Sequence, residues 1–162
     1  MPTVKHAKPA LSNKGILTAK QAAFLVLNAW SFSLKFSVFR QQSSSDHLET
    51  LLSGQISGIG SLARFEAKGA DRQPLAAHVW DDKDSLCRDT LLQYVLRWIR
   101  STLVEDEIVA VGHRVVHGGR TLGKPMRVSP KLLEKLDSLV PLAPLHQPHN
   151  LAGIRAAQEA FA

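Results

Sequence analysis

The run Ile108-Val-Ala-Val-Gly-His-Arg-Val-Val116 constrains the fold of this chain more than any other segment. It is an apolar strand with no alternation, broken by His117-Gly118-Gly119, and such a strand reads as buried on both faces of a sheet. Helical segments must then supply the cover. Asp82-Lys83-Asp84 offers N-caps for a helix over Ser85–Ser101, whose Leu91, Tyr94, Val95, Trp98 and Ile99 form one stripe. Ser129-Pro130 pairs an N-cap with proline at the first helical position, predicting a helix over Lys131–Val140. A last helix is predicted over Asn150–Phe161, after a loop around His146 framed by Pro141, Pro144 and Pro148.

Upstream, Ala22–Leu27 reads as a buried strand, and Leu34–Phe39 alternates with Leu34, Phe36 and Val38 on one face. The polar loop between them makes a hairpin. Gln41–Asp46 is a Ser-rich loop, and Leu51–Ala67, with Gly54, Gly58 and Gly60, reads as twisted or interrupted strand. Leu75–Trp80 is a further short strand. Strands, helix, strand, helix, helix is an α/β order with a mixed sheet.

Charge is distributed unevenly. All six charges of the net +6 arise from Lys5, Lys8, Lys14, Lys20, Lys35 and Arg40, in a first 45 residues that contain no acid; the remainder is balanced. The chain is therefore not a uniformly basic nucleic-acid binder. Cys87 is the single cysteine, which excludes a disulfide framework and fits a reducing compartment. No apolar run reaches the length of a membrane span. The lysines ahead of Ala22–Leu27 form too long a basic stretch, and the apolar stretch is too short, for a secretion leader. Residues 1–21 are expected to be a basic, disordered tail, and 22–162 a domain.

Four constellations could carry chemistry. Gly118–Lys124 has P-loop spacing, but Pro125 stands where a Ser or Thr hydroxyl should reach magnesium, so a Gly-rich turn is expected instead. His113 and His117 are spaced to share a strand face, and His146 and His149 lie three apart; without a companion acid or thiol at familiar spacing they read as polar histidines rather than a zinc site. The hairpin loop Asn28–Lys35 offers hydroxyls, backbone N–H groups and a lysine, a possible phosphate cradle. Arg114 interrupts an apolar strand and needs either a structural carboxylate or an anionic ligand.

Together these segments resemble one family. LVLNAWSFSLKFSVF (25–39), AVGHRVVHGG (110–119) and LAPLHQPHNLAGI (142–154) are similar, in order and spacing, to the three signatures of acetate kinases, with Gln147 where Asn is usual. The resemblance begins near residue 23 and implies an RNase H-like fold of the actin-like ATPase class, in the acetate and sugar kinase, Hsp70 and actin superfamily. It implies an N-terminal domain incomplete at its C-terminal end, without the second, nucleotide-binding domain. The implied reaction is transfer of the ATP γ-phosphoryl group to acetate, with magnesium, in the cytoplasm; propionate and butyrate kinases share the motifs. By motif, Asn28 would associate with the metal, and Ser31, Ser33 and Lys35 with the phosphates. Arg114 would bind the carboxylate, Val116 its methyl group, and His146 would stabilise the transferring phosphoryl group.

Trp30 and Phe32 depart from the family, which has Gly and Ser there. An indole at that position is expected to crowd the phosphates, because glycine allows closer backbone approach. The isolated chain is expected to be weakly active or inactive. The alternative is a non-catalytic interaction module that self-associates through an open sheet edge, with Trp30 and Phe32 adding an apolar patch. The family implies a homodimer, with neither nucleic acid nor membrane as partner.

Overall fold

The computed structural model describes residues 20–42, 47–81 and 87–161. The expected tail (but for its last residues), the tip of the Ser-rich loop and the N-caps at 82–84 lie outside the described residues.

The chain forms strands β1 (Gln21–Trp30), β2 (Ser33–Gln41), β3 (Leu48–Ser57), β4 (Arg64–Gly69) and β5 (Pro74–Val79), helix α1 (Arg88–Thr102), strand β6 (Asp106–His113), helix α2 (Pro130–Asp137) and helix α3 (Gln147–Phe161). Six strands make one mixed sheet in the order β5-β4-β3-β2-β1-β6. Only β1 and β6 pair in parallel; the other neighbours are antiparallel.

Leu25, Leu27, Leu34, Phe36 and Val38 turn to one sheet face and meet Leu91, Val95 and Ile99 of α1 and Ala156 and Ala157 of α3. Phe65 is the largest fully buried side chain and stacks with Phe36 while meeting Tyr94 and Trp98 edge-on. In β3, Gly54 lies opposite Phe36, and a Cβ there would collide with that ring and with the Glu66 carbonyl. Leu136, Leu151 and Ile154 form a second core between α2 and α3. Arg40 Nε and Nη2 grip the Asp106 carboxylate at 2.7 and 2.8 Å, tying β2 to β6 across β1.

The interruption expected within 51–67 is present: the region is two strands, and Gly58 and Gly60, at φ +69° and +89°, make the turn between them. Other expectations are corrected. Helix α1 starts at Arg88, and Cys87 at its N-cap position gives no side-chain cap hydrogen bond. Helix α2 has the expected Ser129 cap to Leu132 N–H but ends at Asp137, and α3 starts three residues earlier than predicted, at Gln147. Strand β6 is not buried on both faces: it lies at the sheet edge, and Val109 is 55% exposed. Apolarity reports that a strand prefers cover, not that the described residues provide it. Beside β6 runs a groove of about 830 Å³, lined in part by Val111, Leu122, Met126, Val128 and Phe161. None of the helices among the described residues is long and apolar enough to cross a membrane.

Candidate active site

The hairpin at 28–35 is tighter than predicted. Asn28 pairs with Lys35 and Trp30 with Ser33, leaving Ser31-Phe32 as the turn. Strand pairing therefore takes up residues expected to lie in a loop cradle. Alternation along the two strands puts Asn28, Trp30, Ser33 and Lys35 on the face opposite Leu27, Ala29, Leu34 and Phe36.

The same parity delivers Arg114. His113 pairs with Leu27 and faces α3, packed against Gly153. Arg114, whose N–H donates to the Leu27 carbonyl at 3.3 Å, therefore emerges on the Asn28–Trp30 face, just past the end of β6. It is exposed, not buried, so it requires no structural ion pair. Among the described residues, no acceptor takes its guanidinium N–H groups. Its guanidinium carbon Cζ lies over the Trp30 ring, 4.9 Å from the centroid.

His146 closes the site from the segment before α3. Ser31 Oγ lies within hydrogen-bond reach of the Leu145 carbonyl (3.2 Å) and of His146 Nδ1 (2.9 Å), and the tautomer of the ring sets which of the latter pair donates. Nε2 is then left for an incoming group. The His146 ring meets Trp30 edge-on at 5.6 Å. Asn28, Trp30, Arg114, Val116, His146 and Asn150 line one hollow of about 10 Å³. Of the residues expected from the motifs, this brings Asn28, Arg114, Val116 and His146 together, with Ser31 bonded to His146. Ser33 and Lys35 lie further along the hairpin face, and Lys35 is exposed.

Two supporting residues were not anticipated. Asn150 is 4% exposed; its Nδ2 donates to the Ala29 carbonyl at 2.8 Å and its Oδ1 accepts from Val116 N–H at 2.9 Å, joining α3, β1 and the segment after β6. Arg88, at the start of α1, donates to the Trp30 and Ser31 carbonyls and anchors the turn. Asn150 lies within a quoted motif, but a sequence carries no sign that its amide bridges two strands. Arg88 sits 57 residues from Ser31 and carries no motif.

The other expectations resolve as follows. His117 lies beyond the end of β6, so it shares no strand face with His113. No helix follows Gly123-Lys124 directly, as the Gly-rich-turn reading expects. No group of three His, Cys, Asp or Glu side chains among the described residues could hold a metal. Magnesium favours carboxylate and phosphate oxygens; Asn28 contributes one neutral amide oxygen, so these residues by themselves do not make a magnesium site. Phe32 is 74% exposed, whereas Trp30 is only partly so.

Burial lowers the pKa of His113, whose Nε2 has no partner among the described residues. A histidine depressed below its unfolded value stabilises the fold fully above about pH 6.5, and that contribution is lost as pH falls toward its folded value. Burial, with Arg88 and His146 nearby, shifts His149 the same way. The melting temperature is therefore expected to fall between pH 7.5 and 5.5, and His113→Leu to flatten part of that slope; an unchanged slope in the variant would remove His113 as its source.

Among the described residues, a mixed sheet with its parallel pair at β1–β6, a hairpin turn facing an arginine and a histidine, and helices packed on it make an α/β domain of the actin-like ATPase fold. The comparisons agree. The acetokinase family matches residues 23–162. The chain is 37% identical over 142 residues to the acetate kinase of Methylocella silvestris, covering 85% of this chain and 35% of that enzyme. It is 41% identical to the acetate kinase of Rhizobium meliloti, with 85% and 34% covered. A propionate kinase from Francisella tularensis superposes with a TM-score of 0.67 at 29% identity, covering 86% of this chain and 34% of that one. A Porphyromonas gingivalis acetate kinase gives 0.65 at 26% identity, with 85% and 34% covered. This chain belongs to the acetokinase family, and it spans about a third of the length of the relatives it matches.

Proposed function

We propose that this chain carries the carboxylate-binding side of a kinase that transfers the γ-phosphoryl group of ATP to acetate, giving acetyl phosphate and ADP. The observation that supports this best is the convergence of Arg114, Val116 and His146 on one small hollow. Arg114 presents N–H groups with no acceptor among the described residues, suited to a bidentate carboxylate. Val116 gives the methyl group an apolar wall. His146, anchored through Nδ1, leaves Nε2 to hydrogen-bond a transferring phosphoryl group. Ser31, Ser33 and Lys35 line the approach of the phosphates, and Asn28 is the residue nearest a metal that would arrive with the nucleotide. Magnesium, when bound with ATP, neutralises phosphate charge; the residues described do not hold it alone. Propionate and butyrate are the alternative acceptors of the same reading, because Arg114 would bind the carboxylate that all three share. Retention in the cytoplasm belongs to the same reading.

The test is acetate titration of the isotope-labelled 162-residue chain. Shifts confined to Arg114, Val116 and His146 are expected; shifts elsewhere, or none, would overturn the reading. Hydroxylamine trapping of acetyl phosphate is expected to show little or no turnover by the isolated chain, and robust turnover would refute that part.

A second reading, self-association, is favoured by the exposed backbone edge of β6 and the apolar groove beside it. Light scattering that shows a monomer at all concentrations would count against it.

A further inference from the structure

We propose that Trp30 is a positioning residue for Arg114: its indole fixes the guanidinium plane so that the N–H fork stays open to a small carboxylate. The proposal rests on the acetate reading of Arg114 and departs from the expectation that an indole at this position only obstructs.

Arginine has several rotatable bonds, and an exposed one with no hydrogen-bond acceptor samples many directions. Arg114 is exposed and has no acceptor among the described residues, yet its guanidinium lies 4.9 Å above the Trp30 ring. A cation–π contact is made through the ring face and takes up no hydrogen-bond acceptor, so the guanidinium N–H groups stay available to a carboxylate. A stacked cation and a bidentate anion therefore do not compete.

The indole is itself held from other sides. Arg88 donates to the Trp30 carbonyl and to that of Ser31. The His146 ring meets the indole edge-on at 5.6 Å, and His146 is in turn bonded to Ser31. Strand pairing of Trp30 with Ser33 sets which face the ring occupies. The order of support runs from Arg88 to the turn, from the turn to the indole, and from the indole to Arg114. A glycine at position 30 would leave the backbone path intact and Arg114 without its platform.

The experiment follows the Arg114 Nε–Hε signal of the 162-residue chain by NMR, without ligand and then with acetate, in the native sequence and in Trp30→Gly and Trp30→Phe, with circular dichroism to confirm folding. Without ligand, an ordered signal is expected in the native chain, motional averaging in Trp30→Gly, and partial recovery in Trp30→Phe, because a phenyl ring binds a cation more weakly than indole. With acetate, Trp30→Gly is expected to bind about three- to tenfold more weakly, with Trp30→Phe between. Equal averaging in native and Trp30→Gly chains, or acetate binding unchanged or tightened by Trp30→Gly, overturns the proposal; a tightened complex would make the indole an obstruction. A signal ordered by Trp30 that acetate never shifts supports the positioning and overturns the carboxylate reading, so the two failures are distinguishable.

Discussion

Asn150→Ala is expected to lower the stability of the fold by about 3 kcal/mol, and the melting temperature by roughly 10 °C. Both hydrogen bonds of a nearly fully buried amide disappear at once. The Ala29 carbonyl and the Val116 N–H remain behind at the junction of β1, α3 and the segment after β6. Unpaired backbone groups in such a place cost far more than the same groups in water, where solvent replaces the lost partner. Asn150→Asp offers a second probe: it keeps an acceptor for Val116 N–H but sets a carboxylate against the Ala29 carbonyl, and is expected to be at least as damaging near neutral pH. Thermal unfolding of the two variants checks this. A loss below 1 kcal/mol in Asn150→Ala would mean that water replaces the amide and that the junction is not held by it.

Arg114→Gln is expected to weaken acetate binding about 30-fold, as the loss of a charge-assisted pair of hydrogen bonds implies. The fold should be little affected, because Arg114 is exposed and no described carboxylate depends on it. Arg114→Lys is expected to restore only part of the affinity. Lysine keeps the charge but cannot present two parallel donors or stack flat on Trp30. Calorimetric titration with acetate distinguishes these cases. Equal affinity in the native chain and Arg114→Gln would remove Arg114 from the carboxylate site, and full recovery in Arg114→Lys would make it a simple point charge.

Local features of the sequence were legible where one stretch of chain carries the physical signal. The alternation of Leu34, Phe36 and Val38 is the inward face of β2. Ser129-Pro130 starts α2 because a hydroxyl cap and a proline at the first turn act within four residues. The stripe through Leu91, Val95 and Ile99 is the buried side of α1. The two glycines at 58 and 60 turn the chain through positive φ and settle the expected interruption as a full reversal between two paired strands. Errors fell where neighbours decide. β6 has the composition of a central strand and the position of an edge.

For the site, the three motifs named the residues and implied their roles, and the sequence by itself determined that family, the basic start of the chain and the residue types available for chemistry. Only the tertiary structure decided how they meet. Trp30, read as bulk against phosphate, also lies beneath the Arg114 guanidinium, because parallel pairing of β1 with β6 places positions 30 and 114 on one face. Arg88 and Asn150 joined the site through contacts spanning 57 and 121 residues. Motifs and caps act through neighbours along the chain, whereas an exposed arginine acquires a direction only from side chains that folding brings to it.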